Sequence, residues 1–261
     1  MKTMITFLFS AFCIVMANAQ TEDKENAMLN NGIKFLDIPY VAHTLEATDG
    51  EEELIINCDE MDCTTFVEYV LALSLSPTED GQVAESDFAE KLQMIRYRDG
   101  KINGYLSRLH YNTDWVNNGT RNGFLEDVSA AHSPYAKKMV LTYMSSHPEL
   151  YKQLKNSPQN VAGMKEIEKS LSGQEVYYVP QDQLPVNGLP WIKNGDIITI
   201  ITNTPGLDVA HMGIAFYVDG KLSLLHASSK DKKVTVSKTA LKQMLLKNDK
   251  WTGIRVLRMR K

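Results

Sequence analysis

The 261-residue chain carries 28 Lys and Arg against 32 Asp and Glu, a formal net charge of −4. Such weak acidity argues against nucleic acid or an anionic membrane surface as a partner and leaves a small substrate open. With 43% hydrophobic residues there is enough apolar surface for one large core.

Met1-Lys2 precede an apolar run from Met4 to Met16, and Ala17-Asn18-Ala19 closes it in a small-x-small pattern. Residues 1–19 are therefore expected to be a secretory signal peptide cleaved after Ala19. The run is too short to span a bilayer, and Phe12 before Cys13 is too bulky for lipoprotein processing. Residues 20–261 are expected to be exported, in the periplasm or cell envelope, without membrane insertion.

Residues 21–36 have helical spacing, with Leu29, Ile33 and Leu36 on one stripe; Pro39 to Leu45 reads as a loop or short strand, and 46–53 as a solvated acidic loop. Asp62-Cys63-Thr64-Thr65-Phe66-Val67-Glu68-Tyr69-Val70 reads as a helix start, with Asp62 as N-cap and Phe66, Tyr69, Val70 and Leu73 facing inward until Ser76-Pro77. Cys63 then sits at the positive end of the helix dipole, where a thiolate is favoured. Such positions can lower a thiol from about 8.5 to about 3.5–7.5, so Cys63 reads as an activated thiolate or, since free Cys is often buried, as a packed core residue, and partners elsewhere must decide. Asp80-Gly81 marks a turn, and a helix is expected from about Glu85 to Arg98. From Asp99 to Val128 four glycines interrupt a stretch rich in Tyr, Trp, His and Arg, a length of weak periodicity that points to function. Helices are expected at about 134–146, 148–155 and 160–171.

After Gly173 the pattern becomes β. Strands are expected at Val176–Val179, Asp196–Thr202, Val209–Val218, Leu222–Ala227, Val234–Ser237 and Gly253–Leu257, with one helix near 239–246. The layout is α+β, a helical part over about 21–172 and an antiparallel β part over about 174–261.

Asp219-Gly220 between alternating apolar runs is a two-residue hairpin signal. That register sets Val218 against Lys221, Ala215 against Leu224, Gly213 against His226 and His211 against Ser228. His211 and His226 then share a face as diagonal neighbours, with Gly213 leaving room for an imidazole. Met212, Ile214, Phe216 and Val218 form the opposite, apolar face. A thiol at a helix N-terminus, a strand histidine and a polar group orienting it compose a nucleophilic triad in papain-like chain order. Here Cys63 is the nucleophile, His211 the base and His226 its orienting partner. The Cys63 N–H is one oxyanion donor, and Tyr40 is a candidate for the second. Neither cofactor nor metal is called for: the Cys58–Cys63 spacing is not that of a zinc knuckle, and no His doublet accompanies it. His132 and His147 read as surface residues.

The Asp62-Cys63-Thr64-Thr65-Phe66-Val67 stretch resembles the D-C-[ST]-x-F-V element of the NlpC-type cell-wall cysteine hydrolases. His211-Met212-Gly213-Ile214 and His226-Ala227-Ser228 resemble their two histidine strands. Pro39-Tyr40-Val41 with Thr44-Leu45-Glu46, Arg96-Tyr97-Arg98-Asp99-Gly100, and Ser107-Arg108-Leu109-His110-Tyr111 with Asp114-Trp115 are similar to the N-acetylmuramoyl-L-alanine amidase-like branch. His43 stands where that branch carries a small residue, and Cys58 where it carries an apolar one. The resemblance, over nearly all of residues 30–258, implies one papain-like hydrolase domain acting on peptidoglycan or its muramyl-peptide fragments. An amidase must recognise a sugar and a peptide stem, and Tyr40, Tyr105, Arg108, His110 and Tyr111 are the candidate binding residues, aromatic faces for the sugar and Arg for a carboxylate. Packing is the expected role of Trp115. The rival activities are a γ-D-glutamyl-diaminopimelate endopeptidase with the same triad, a hydrolase or acyltransferase acting on another amide, and a non-catalytic wall-binding module with Cys58 and Cys63 bridged.

Overall fold

The structure is a computed structural model that describes residues 26–46, 51–78 and 82–260. The expected leader, the start of the first helix and the Asp80-Gly81 turn lie outside the described residues. α1 (Ala27–Ile33) begins where the Asn26 side chain accepts the Leu29 N–H. α2 (Cys63–Leu75) starts at Asp62, whose carboxylate takes the N–H groups of Thr64 and Thr65 while Thr65 Oγ1 accepts the Asp62 N–H. This reciprocal capping box satisfies the donors that a helix start leaves unpaired. Residues 65–74 of α2 are all buried, so it is a central rod rather than a surface helix.

α3 (Glu85–Arg96) packs on α2 and sends Arg96 into the interior. Arg96 Nε donates to Glu68 Oε2 of α2 at 2.7 Å with both side chains at most 2% exposed, and Nη1 donates to the Ile55 carbonyl. α4 (Asn112–Arg121) lies in the glycine-interrupted stretch, where no helix was expected. Its Asn-rich sequence is a weak helix former, and burial of Trp115 and Val116 stabilises it instead. β1 (Leu125–Asp127), α5 (Val128–His132), β2 (Ala136–Lys138), α6 (Tyr143–Ser146), α7 (Lys152–Lys155), α8 (Pro158–Leu171), β3 (Glu175–Tyr177) and β4 (Val179–Pro180) follow. The helix expected over 134–146 is therefore replaced by a strand and a single turn. Ala136–Lys138 pairs antiparallel with Glu175–Tyr177, a distant partner that overrides local periodicity.

The β part holds β5 (Ile197–Thr202), β6 (Val209–Val218), β7 (Lys221–Ser228), β8 (Lys233–Val236), α9 (Leu241–Leu246) and β9 (Trp251–Met259). They form an antiparallel sheet in the order β1-β9-β5-β6-β7-β8, with β4 also on β9. In the β6–β7 hairpin Val218 opposes Lys221 and Ala215 opposes Leu224, the register expected from Asp219-Gly220. Both turn residues have positive φ, 49° and 71°, as a type I′ turn demands.

One face of the sheet, with Met212, Ile214 and Leu225, packs on Phe66 and Val70 of α2. The opposite face is also core: Ala215 and Leu224 pack with Ile198, Ile254, Leu241 and Leu245. The histidine face is thus no open polar face, because α9 packs over what the hairpin alone would leave exposed.

Replacing Arg96 by Met should leave Glu68 as an unpaired buried carboxylate and cost about 3–5 kcal/mol. Urea unfolding checks this, with the Glu68→Gln/Arg96→Met double variant recovering part of the loss; a change within the error of wild type would contradict it.

Candidate active site

Cys63 is the first residue of α2 and is half-buried. The Met212 N–H of β6, the Thr64 side chain and its own backbone N–H favour the charged form of its sulfur. Asp62 accepts the next two amides, those of Thr64 and Thr65, and not that of Cys63. Burial, then the Asp62 carboxylate, push the thiol up to about 12 against the lowering effect of these donors. The expected thiolate is thereby corrected. A helix terminus contributes about 0.3–1 kcal/mol at an exposed site, and desolvation of a buried anion outweighs it here. Cys58 is a free thiol as well, raised to about 11 chiefly by burial, so no bridge joins the two cysteines.

His211 lies near the start of β6 and borders one cavity of about 110 Å³ with Cys63. Its Nε2 is 2.6 Å from Nδ1 of His226 on β7, with the rings edge-on at 83°. A proton sits on only one of those two nitrogens. If His211 Nε2 carries it and donates to His226, then His211 Nδ1 is left with a lone pair that can accept the thiol proton. Burial, then the neighbouring His226, lower His211 to about 3, and burial lowers His226 to about 4 against the raising effect of Asp231. Gly213 makes the pair possible: a Cβ there would stand 2.9 Å from His226 Cβ and 2.8 Å from the Leu225 carbonyl oxygen. The Trp251 ring lies parallel to His211 with centroids 6.0 Å apart, a neighbour with no sequence signal because it comes from β9.

The expected binding residues are dispersed. Burial, then coupling to Cys63 and Asp62, raise the Tyr40 hydroxyl above its ordinary value, so it stays protonated and able to donate. His110 lines the cavity with its Nε2 on the Tyr105 carbonyl, and burial lowers it to about 3, a neutral ring. Arg108 is 5% exposed and tied to Glu46 at 2.7 Å, Glu52 at 3.2 Å and the Leu45 carbonyl, so its guanidinium is engaged inside the protein. Glu46 and Glu52, in the stretch expected to be a solvated loop, are therefore paired in the interior, while residues 47–50 of that stretch lie outside the described residues. Tyr111 donates to Glu168 and accepts the Met144 N–H in the interior, and Tyr105 is buried beneath Arg108. Trp115 is buried in the core but also borders the cavity. His43 is exposed with φ of 62°, the left-handed conformation that a small residue, glycine above all, adopts at least cost. His132 is exposed and His147 half-buried.

Asp208 was missed from sequence. It is 2% exposed, lines the cavity and accepts the Thr113 N–H at 2.7 Å and the Val209 N–H at 2.8 Å. It thereby fastens the start of α4 to the start of β6, across a sequence gap that no local pattern spans.

A family profile described as N-acetylmuramoyl-L-alanine amidase-like matches residues 30–254. The chain belongs to that family. It is similar to a Bacteroides uniformis N-acetylmuramoyl-L-alanine amidase of known structure, at 70% identity over 90% of this chain and 100% of that one, with a TM-score of 0.89. A Bacteroides fragilis protein, provisionally named a xylanase, is 65% identical over 88% of this chain and 100% of its own, with a TM-score of 0.86. A Legionella pneumophila protein at 23% identity, covering 90% of this chain and 88% of its own with a TM-score of 0.68, shares the fold. No curated protein matches. The amidase-like family implies a cell-wall substrate, and among the described residues no helix is long and apolar enough to cross a membrane.

Gly213→Ala in this amidase-like chain should push β6 and β7 apart, cost roughly 1–3 kcal/mol and separate the two histidines. Denaturation and the histidine nitrogen shifts check it, and an unchanged pair would contradict the packing argument. The buried neutral rings give a second expectation. Since His110, His211 and His226 titrate below the ordinary 6.5, the unfolded chain binds protons that the folded chain refuses. Their contribution to stability is complete above that pH and is lost as the pH falls toward 4 and 3. Melting curves from pH 7 to 4 should show a steeper loss for the wild type than for His110→Phe, and equal slopes would contradict it.

Proposed function

We propose that this protein is an exported cysteine amidase of papain-like, NlpC-type fold that hydrolyses the N-acetylmuramoyl-L-alanine bond of peptidoglycan or muramyl-peptide fragments. The observation that carries this reading is the 2.6 Å His211–His226 pair, whose His211 lines one cavity with Cys63, in a chain of the amidase-like family. Export is supported by the leader-like first 19 residues.

In this reading the substrate's lactyl carbonyl lies against Cys63. Sγ attacks the carbonyl carbon while its proton passes to His211 Nδ1, and the imidazolium that forms is stabilised through Nε2–H by His226. Since thiol and imidazole are both neutral at rest, charge appears only as the bond forms, which favours attack and proton transfer in one step. The Cys63 N–H and the Tyr40 hydroxyl hold the oxyanion. Collapse breaks the C–N bond, His211 returns its proton to the amine of L-alanine, and the lactyl acyl group remains as a thioester. Water, deprotonated by His211, attacks the thioester, releasing the muramic carboxylate and restoring the thiol. A glycosidase of the xylanase kind needs two carboxylates flanking one bond. The cavity offers one, Asp208, with both oxygens already accepting amide hydrogens.

Cys63→Ala should keep the wild-type melting temperature and lose at least about 10⁴-fold in kcat/KM, and His226→Ala about 10²–10⁴-fold. Mass spectrometry of a digested muramyl tetrapeptide should show free sugar acid and intact tetrapeptide. A diaminopimelyl-D-alanine product would replace this reading by the endopeptidase one, and turnover by Cys63→Ala would end it. The acid limb of kcat/KM should fall well below the 6.5 of an ordinary histidine, and a limb at or above that pH would contradict a buried neutral base.

A further inference from the structure

A histidine pair that accepts the thiol proton must hold a positive charge inside the protein. Burial opposes that charge on both rings. Asp208 lines the same cavity as His211, but burial pushes it toward its own neutral form. A counter-charge from another direction would lower the barrier to proton transfer.

The turn between β7 and β8 brings one. Ser228 follows His226 by two residues on β7, so the two side chains leave the same face of the strand about 7 Å apart at Cα. They are 3% and 4% exposed. Ser228 Oγ donates to Asp231 Oδ2 at 2.8 Å and accepts the Asp231 N–H at 3.0 Å. The exposed turn is thereby folded back, with the Asp231 carboxylate held against the buried end of the histidine face. Its charge raises His226 against the effect of burial.

The other charges on elements packed against β7 are committed elsewhere. On α2, Glu68 is paired with Arg96, and the Asp62 cap takes the Thr64 and Thr65 amides. Lys233 of β8 donates to Asp37, and Lys242 of α9 to the Gln181 carbonyl. Cys63 and His211 are the neutral partners of the reaction itself. Lys230 and Lys232 of the same turn are exposed and offset part of the Asp231 field, which still prevails at His226.

We propose that Asp231, fixed to β7 by Ser228, is a positioning residue that acts through His226: its carboxylate stabilises the positive charge that the histidine pair takes on when Cys63 gives up its proton. The S–H bond breaks and an N–H bond forms at His211 Nδ1, the electron pair staying on sulfur for the attack. The charge is shared with His226 across the 2.6 Å Nε2–Nδ1 contact, on the side where Asp231 lies. The kinetic consequence rests on the amidase reading above, whereas the effect on His226 does not.

Asp231→Asn is the test, because the amide keeps an acceptor for Ser228 and the backbone donor while removing the charge. By NMR, His226 should titrate at a lower pH in the variant than in the wild type, at an unchanged melting temperature. Salt screens an exposed charge, the screening length falling from about 30 Å at 0.01 M to about 3 Å at 1 M. The wild-type His226 midpoint should therefore fall with added salt, a measurement that needs no variant, and the Asp231→Asn midpoint should not. On a muramyl peptide at low salt the variant should lose roughly two- to fivefold in kcat/KM, with the two proteins converging at high salt. A wild-type His226 midpoint in Asp231→Asn, or a wild-type midpoint indifferent to salt, would overturn the proposal. So would an equal kinetic loss at both salt concentrations, which marks a packing role. Should the wild type cleave no muramyl peptide, the amidase reading fails while the titration still decides the part of Asp231.

Discussion

One contact between two imidazoles sets the terms for everything else in the site. His211 and His226 come from neighbouring strands and meet at 2.6 Å only because the β6–β7 register places them diagonally and Gly213 has no side chain. A slip of one residue would turn the whole alternate set to the other face of the sheet. The register is fixed in turn by the type I′ turn and by two apolar faces, each buried against its own partner layer. The stability of the sheet and the geometry of the pair are therefore the same constraint. If His226 accepts at Nδ1, His211 keeps a lone pair at its own Nδ1.

The electrostatics around Cys63 show which of two opposing effects wins. The helix start and three hydrogen-bond donors favour a sulfur anion, but burial and the Asp62 cap disfavour it more. Asp62 has a double part here. It accepts the amides of Thr64 and Thr65 and not that of Cys63, and its own charge helps keep the resting thiol protonated. In the proposed reaction these neutral groups would become charged together as the carbonyl is attacked.

Local patterns carried the helix cap, the hairpin register and the pairing of the histidines, because each depends on residues at most a few positions from a turn or a strand partner. Partners distant in sequence were illegible. Arg108 looked like a free binding group because Glu46 and Glu52 seemed to belong to a solvent loop, and the three meet only in the folded chain. Asp208 had no signal, since it caps α4 from ninety-five positions away. The segment around Ala136–Lys138 had helical spacing but is held as a strand by Glu175–Tyr177. The place of Trp115 beside the cavity was hidden for the opposite reason: an aromatic at helical spacing reads as core, and Trp115 is core as well as cavity wall.

The central claim is that the resting base is a neutral His211 whose Nε2 carries the proton and whose Nδ1 is free. Long-range ¹H–¹⁵N correlation spectra of the native protein at neutral pH report the protonation of each ring nitrogen directly. The account predicts a pyrrole-type Nε2 and a pyridine-type Nδ1 for His211. An imidazolium signature, or the proton on Nδ1, would contradict it.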